Sequence, residues 1–267
     1  MSRLFGVALV VTLGVALSFL TLPLLAIFLE SSPGELLASL GEPGALDALW
    51  LSLQTTTLAL ALIVAVGTPA AWLLATRRFR GHALVVTLVE LPLVVPPAVA
   101  GIGLLAAVGP EGLLGPALER AGLELVFQTA GVVVALTFVA SPFYIRQAQA
   151  AFAALAPELL EASRTLGASE ARTFARVAVP NAMPGLLAGG ALAWGRALGE
   201  FGATLVFAGS LTGVTQTAPL AIYERFGSDF TAALALSAVL VAASGAILLG
   251  VKLASAPGAL GGAGARG

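Results

Sequence analysis

Arg196 and Glu200 stand four residues apart in an otherwise uncharged run, 183–209, of small and apolar side chains. At helical spacing they share a face, roughly 20–26 Å from the start of that run at about 1.5 Å per residue. Ionisable groups so deep in an apolar segment are costly and are normally paired inside protein. Two readings stay open for the pair: a mutual salt bridge that fixes helix orientation, or a part in a gate or subunit seam together with Gly195, Gly199 and Thr204. Glu90 interrupts another apolar run near its inner third, either as a snorkelling side chain or as a functional one. Bond-making chemistry finds no footing. The chain has no cysteine and a single histidine, His82, so thiolate nucleophiles, disulfides and His-rich metal sites are excluded. The apolar runs hold no Ser/His dyad, paired aspartates or metal cluster, and no cofactor or metal is expected in this chain.

The elements that hold these residues follow from composition. Of 267 residues, 58% are hydrophobic and 10% charged, whereas a soluble domain carries about a quarter charged residues. Six stretches are long enough for an apolar helix to cross a bilayer, which takes about 20 residues: 4–29, 49–76, 83–108, 125–146, 183–209 and 229–252. With no strand-like alternation, only helices satisfy the backbone in hydrocarbon. The expectation is an all-α membrane protein with one transmembrane domain over 1–256 and a disordered Gly/Ala-rich tail over 257–267. The first stretch is too long for a secretory signal core of about 7–15 residues and is read as an uncleaved helix.

Positive charge sets the orientation. With the N-terminus inside, the inner segments hold Arg3, Arg77, Arg78, Arg80, Arg146, Arg164, Arg172, Arg176, Lys252 and Arg266, and the outer ones only Arg120 and Arg225. Both termini are therefore expected in the cytoplasm. A net charge of −1 without a basic stripe argues against nucleic acid. The outer segments 30–48 and 109–125 read as short irregular connections. Pro92, Pro96 and Pro97 should kink the third span, as hinges or as packing features. The fifth span carries two ridges of small residues, Gly185, Gly189, Ala193, Ala197 and Ala191, Gly195, Gly199, Ala203, on roughly opposite sides, so both faces can take a close neighbour.

The segment 147–182 is the longest polar stretch. Pro157 opens a short helix with acids in its first turn, and Gly167 can close it in the left-handed conformation. Ser169 is a plausible N-cap for a second short helix, which Pro180 and Pro184 should stop. The product is either a rigid cytoplasmic knob or an amphipathic linker on the membrane surface.

The run EASRTLGASEARTFARVAVP, residues 161–180, resembles the EAA loop of ABC importer permeases: E-A-A, three residues, G, nine residues, I-x-L-P. This chain supplies Glu161, Ala162, Ser163, Gly167, Val177, Val179 and Pro180, with size-conservative departures at Ser163, Val177 and Val179. The resemblance implies the type I permease fold of six helices with both termini inside, and a coupling helix that docks in a groove of an ATPase subunit. Glu161, Ala162, Ser163, Gly167 and Ala168 would lie at that contact. It further implies a second copy of the permease, two ATPase subunits holding ATP and Mg, and an extracytoplasmic oxyanion-binding protein, all at a bacterial or archaeal cell membrane. The stretches ELPLVVPPAVAGIGLL (90–105) and WGRALGEFGATLVFAGSLTGVTQTAPLAIYERF (194–226) resemble the molybdate/tungstate and sulfate/thiosulfate branch of these permeases, and the second is closer to the molybdate/tungstate members. An ATP-independent secondary transporter is the remoter alternative; the absence of an internal repeat counts weakly against it.

Overall fold

The computed structural model describes residues 3–30, 33–41 and 44–255, and the tail expected to be disordered lies outside these residues. Within them every element is helical, in the order α1 (Arg3–Leu29), α2 (Pro33–Leu40), α3 (Ala45–Thr76), α4 (His82–Val94), α5 (Pro97–Val108), α6 (Gly115–Arg120) and α7 (Thr129–Ala153). Then follow α8 (Pro157–Thr165), α9 (Glu170–Thr173), a π turn (Phe174–Ala178), α10 (Val179–Leu198), α11 (Gly202–Ala208), α12 (Ala218–Phe226) and α13 (Phe230–Ser255). Five helical segments are long and apolar enough to cross a membrane, and a sixth crossing results if α4 and α5 count as one broken span.

The core is α3 on α7 on α10, and small side chains allow the close approach. Lipid gives no hydrophobic drive between helices, so contact rests on van der Waals packing through small residues. Ala59, Ala71, Ala140, Ala148, Ala182 and Ala193 are all buried in one cluster. At Gly185 a Cβ would fall 2.4 Å from the Ala151 Cβ, and at Gly189 3.1 Å from the Gln147 Cβ. The ridge Gly185, Gly189, Ala193, Ala197 is thus the face of α10 that α7 covers. The second ridge behaves differently: Gly195 and Gly199 are exposed, and Ala203 belongs to α11, buried beside α5. Helix α1 leans on α13 and is exposed along nearly its whole length.

Helix bounds depart from the sequence expectation at several places. The third apolar run does not merely kink: the chain bends by 119° between α4 and α5. Pro92 sits inside α4, whereas Pro96 caps α5 and Pro97 opens it. On the far side of the bend α5 is clamped to α11, where a Cβ on Gly202 would lie 2.7 Å from Pro97 Cβ and one on Gly101 would lie 2.7 Å from Val206 Cβ. The fourth helix continues past Arg146 to Ala153, because nothing in 147–153 breaks it. The fifth ends early, at Leu198, before Gly199. Pro180 and Pro184 do not stop a helix: the π turn, closed by Val179 N–H donating to the Phe174 carbonyl, passes the chain into α10, whose first turn accepts Pro180. The segments 30–48 and 109–125, expected as irregular connections, are also partly helical, holding α2 and α6.

Candidate coupling and gating sites

Helix α8 forms where its residues predict. Pro157 stands in its first turn with Glu158, and Arg164 in its last. Gly167, at φ +79°, ends it in a Schellman motif. Ala168 N–H donates to the Ser163 carbonyl (3.1 Å) and Gly167 N–H to the Arg164 carbonyl (2.9 Å). Ser169 caps α9, its hydroxyl accepting from Arg172 N–H at 3.3 Å. Two side-chain links bind the short helices into one unit: Ser163 Oγ to Thr173 Oγ1 at 2.9 Å, and Arg164 to Glu170, Nε to Oε1 2.9 Å and Nη2 to Oε2 3.4 Å.

This unit is rooted in the bundle. Trp72 of α3 meets Phe152 of α7 edge-on at 5.3 Å and Phe174 of the π turn at 5.7 Å, and Phe152 and Phe174 are 6.1 Å apart. Leu155 and Leu160 pack against the same cluster. A push on α8 or α9 therefore reaches α3, α7 and α10 through packed rings rather than a slack loop. Trp72→Leu removes two ring contacts of about 0.5–1.5 kcal/mol each and is expected to lower thermal stability by roughly 2 kcal/mol. Thermal unfolding of the detergent-solubilised chain checks this.

Of the residues singled out in the loop, Glu161, Ala162 and Gly167 are exposed together, while Ser163 and Ala168 are half-buried and serve the turn and the α8–α9 link. Sequence reasoning does not single out Leu166, which is 88% exposed beside Gly167. Leu159 is exposed on the same helix, so the knob's outer face is apolar with charge around it. The available signal is a leucine at the C-cap that the helix itself does not use.

The second group lies within the bundle. Arg196 Nη2 and Glu200 Oε2 are 2.6 Å apart, with Glu200 1% exposed and Arg196 27%. Glu200 Oε1 also accepts from Ala203 N–H at 2.7 Å, so the carboxylate ties the end of α10 to the start of α11. Gly195 and Gly199 stay on the bare face of α10, apart from this tie. Thr204 is fully buried on α11, and its hydroxyl has no partner. A second ion pair has no signature in the sequence: Glu90 of α4 meets Arg146 of α7, Oε1 to Nε 2.8 Å. Deeper in the core Thr68 hydroxyl donates to the Val64 carbonyl at 2.6 Å, so Tyr144 donates in the 2.6 Å bond between the two hydroxyls. Among the described residues no group of histidines and acids has the makings of a metal site.

Residues 67–258 match the family described as the binding-protein-dependent transport system inner membrane component. The chain is 42% identical over 233 residues to the molybdenum transport system permease protein ModB of Mycobacterium tuberculosis, covering 87% of this chain and 88% of that one. It is 34% identical over 236 residues to the sulfate transport system permease protein CysW of Synechocystis, covering 87% and 86%. Its fold is similar to a bacterial alginate ABC transporter solved with its alginate pentasaccharide-bound periplasmic protein, with TM-score 0.74 and 17% identity over 94% of this chain and 93% of that one. The knob, the helical bundle and these likenesses agree: the chain belongs to the binding-protein-dependent transport system inner membrane components, the permease subunits of ABC transporters.

Proposed function

We propose that this chain forms, as a homodimer, the pathway of an ATP-driven importer for molybdate or tungstate. In this reading both termini face the cytoplasm, as the distribution of arginine and lysine supports. Two ATPase subunits, holding ATP and Mg, sit beneath, and an extracytoplasmic binding protein delivers the anion. The observation that carries the substrate class is the 42% identity to a molybdenum permease over 87% of the chain. The knob supports the coupling: Glu161, Ala162, Leu166 and Gly167 present a small-residue, partly apolar face on a unit that moves as one piece. ATP binding would close the ATPase pair, draw the two knobs together and open the pathway outward; hydrolysis would reset it. No tight anion site is needed in the permease, because selection rests with the binding protein.

A sulfate or thiosulfate importer is the second reading, favoured by the 34% identity to CysW. The test is reconstitution of the permease with its ATPase and binding protein in proteoliposomes. Molybdate and tungstate are expected to stimulate ATP hydrolysis and accumulate inside, with sulfate inert. Stimulation by sulfate alone would assign the second reading, and uptake driven by an ion gradient without ATP would exclude both.

A further inference from the structure

Glu90 and Arg146 pair on a face that the rest of the chain leaves open: their side chains are 36% and 48% exposed. Arg146 stands 17 residues into α7, about 26 Å along it at 1.5 Å per residue, and about 10 Å before its end. Helix α4, which carries Glu90, has no buried residue. Charged side chains in a spanning segment do not face acyl chains; they face protein or water. The pair therefore marks a protein-facing or wet side of the bundle.

The two arginines within α7 and α10 differ in what is left to them. Arg196 is held against a fully buried glutamate. Arg146 has five N–H donors: Nη1 donates to Gln149 Oε1 (3.3 Å), Nε stands 2.8 Å from Glu90 Oε1 as an ion pair, and three donors are left over. A guanidinium with spare donors, half uncovered by its own chain, is suited to bidentate contact with an oxyanion, which presents the same paired oxygens as a carboxylate.

We propose that Arg146 is a transient oxyanion contact of the translocation pathway, with the Glu90 carboxylate as its resident stand-in. The proposal rests on the functional reading above, with this face lining the pathway. The passing anion takes Glu90's place on Arg146, and Glu90, tethered at high local concentration, takes it back. A free arginine at this depth would retain a doubly charged anion; a paired one lets it go. Glu90 thus governs release. Arg146 lies two turns before the end of α7, which runs through residues 154–156 into α8. Motion of the knob therefore shifts Arg146 relative to Glu90 on the separate arm α4.

The experiment uses the assembled permease–ATPase complex without binding protein and titrates tungstate calorimetrically. Glu90→Gln, nearly isosteric, is expected to bind tungstate at least about tenfold more tightly than wild type, the scale of one charge-assisted hydrogen bond. Glu90→Gln combined with Arg146→Gln is expected to lose that gain. In proteoliposomes with binding protein, Glu90→Gln should transport several-fold less anion per ATP hydrolysed, and Glu90→Asp should restore much of it. Two outcomes overturn the proposal: no gain of tungstate affinity in Glu90→Gln, or a gain that persists in the double variant. The functional reading fails separately, and visibly, if the wild-type complex shows no molybdate-stimulated hydrolysis whatever Glu90 does.

Discussion

Gly167→Leu is expected to abolish substrate-stimulated ATP hydrolysis in the assembled transporter while the permease still folds and inserts. Gly167 sits at φ +79° with nothing within 4 Å of where a Cβ would stand. The substitution therefore costs only about 1–2 kcal/mol of left-handed strain, shared between tolerating that φ and unwinding the end of α8. What changes is the surface, because a leucine would stand out beside Leu166, where the proposed coupling seats the ATPase subunit. Gly167→Asn separates the two effects: asparagine tolerates the left-handed region, so it keeps the turn and still fills the space. If the turn alone mattered, Asn would preserve activity; if close docking matters, it loses most of it. Glu161→Lys, an exposed charge reversal on the same face, is expected to be similarly inactive. Hydrolysis and uptake unchanged in both Gly167→Leu and Glu161→Lys would show the coupling assignment to be wrong.

Glu200→Ala is expected to be the most destabilising single change in the bundle, by about 3 kcal/mol or more, since removing one member of a buried ion pair leaves the other uncompensated. Arg196 is 27% exposed and regains some hydration, which keeps the loss near the lower end of that range. Glu200→Gln should cost less, because an amide oxygen can still accept from Ala203 N–H. Arg196→Met with Glu200→Leu should also cost less than Glu200→Ala, since it removes both charges at once. Thermal unfolding in detergent orders the three variants. A Glu200→Ala midpoint equal to that of the double variant would mean that leaving Arg196 without its partner costs nothing.

Features set by nearest neighbours in the chain are legible in the sequence alone. Pro157, Gly167 and Ser169 set φ or cap a helix within a few residues, and α8 and α9 begin and end accordingly. The spacing of Arg196 and Glu200 is enough to expect their pair, because four residues is about one helical turn. The Glu90–Arg146 pair is out of reach, since 56 positions separate the partners (146 − 90) and only the packing of α4 on α7 joins them. The early end of α10 is masked by composition: 199–209 is as apolar as what precedes it, and the turn depends on Gly202 lying against Pro97. The continuation through Pro180 is likewise hidden, because a π turn has no residue signature of its own. The aromatic root of the knob needs three helical segments to meet, and nothing in the spacing of Trp72, Phe152 and Phe174 announces it.

The corner between α4 and α5 bears on how the membrane stays sealed. Pro96 and Pro97 have no N–H to give, so the carbonyls four residues earlier, on Pro92 and Leu93, lose the donors that a continuous helix would supply. Neither half-helix, of 13 and 12 residues, reaches across a hydrocarbon layer of about 30 Å. Bare acceptors that deep draw water or a neighbouring donor. If no donor reaches them, the corner about 20 Å along from the start of α4 is where water is expected to gather and the barrier to protons and small ions to thin. How tightly the resting transporter resists leak is then set by whatever covers this corner.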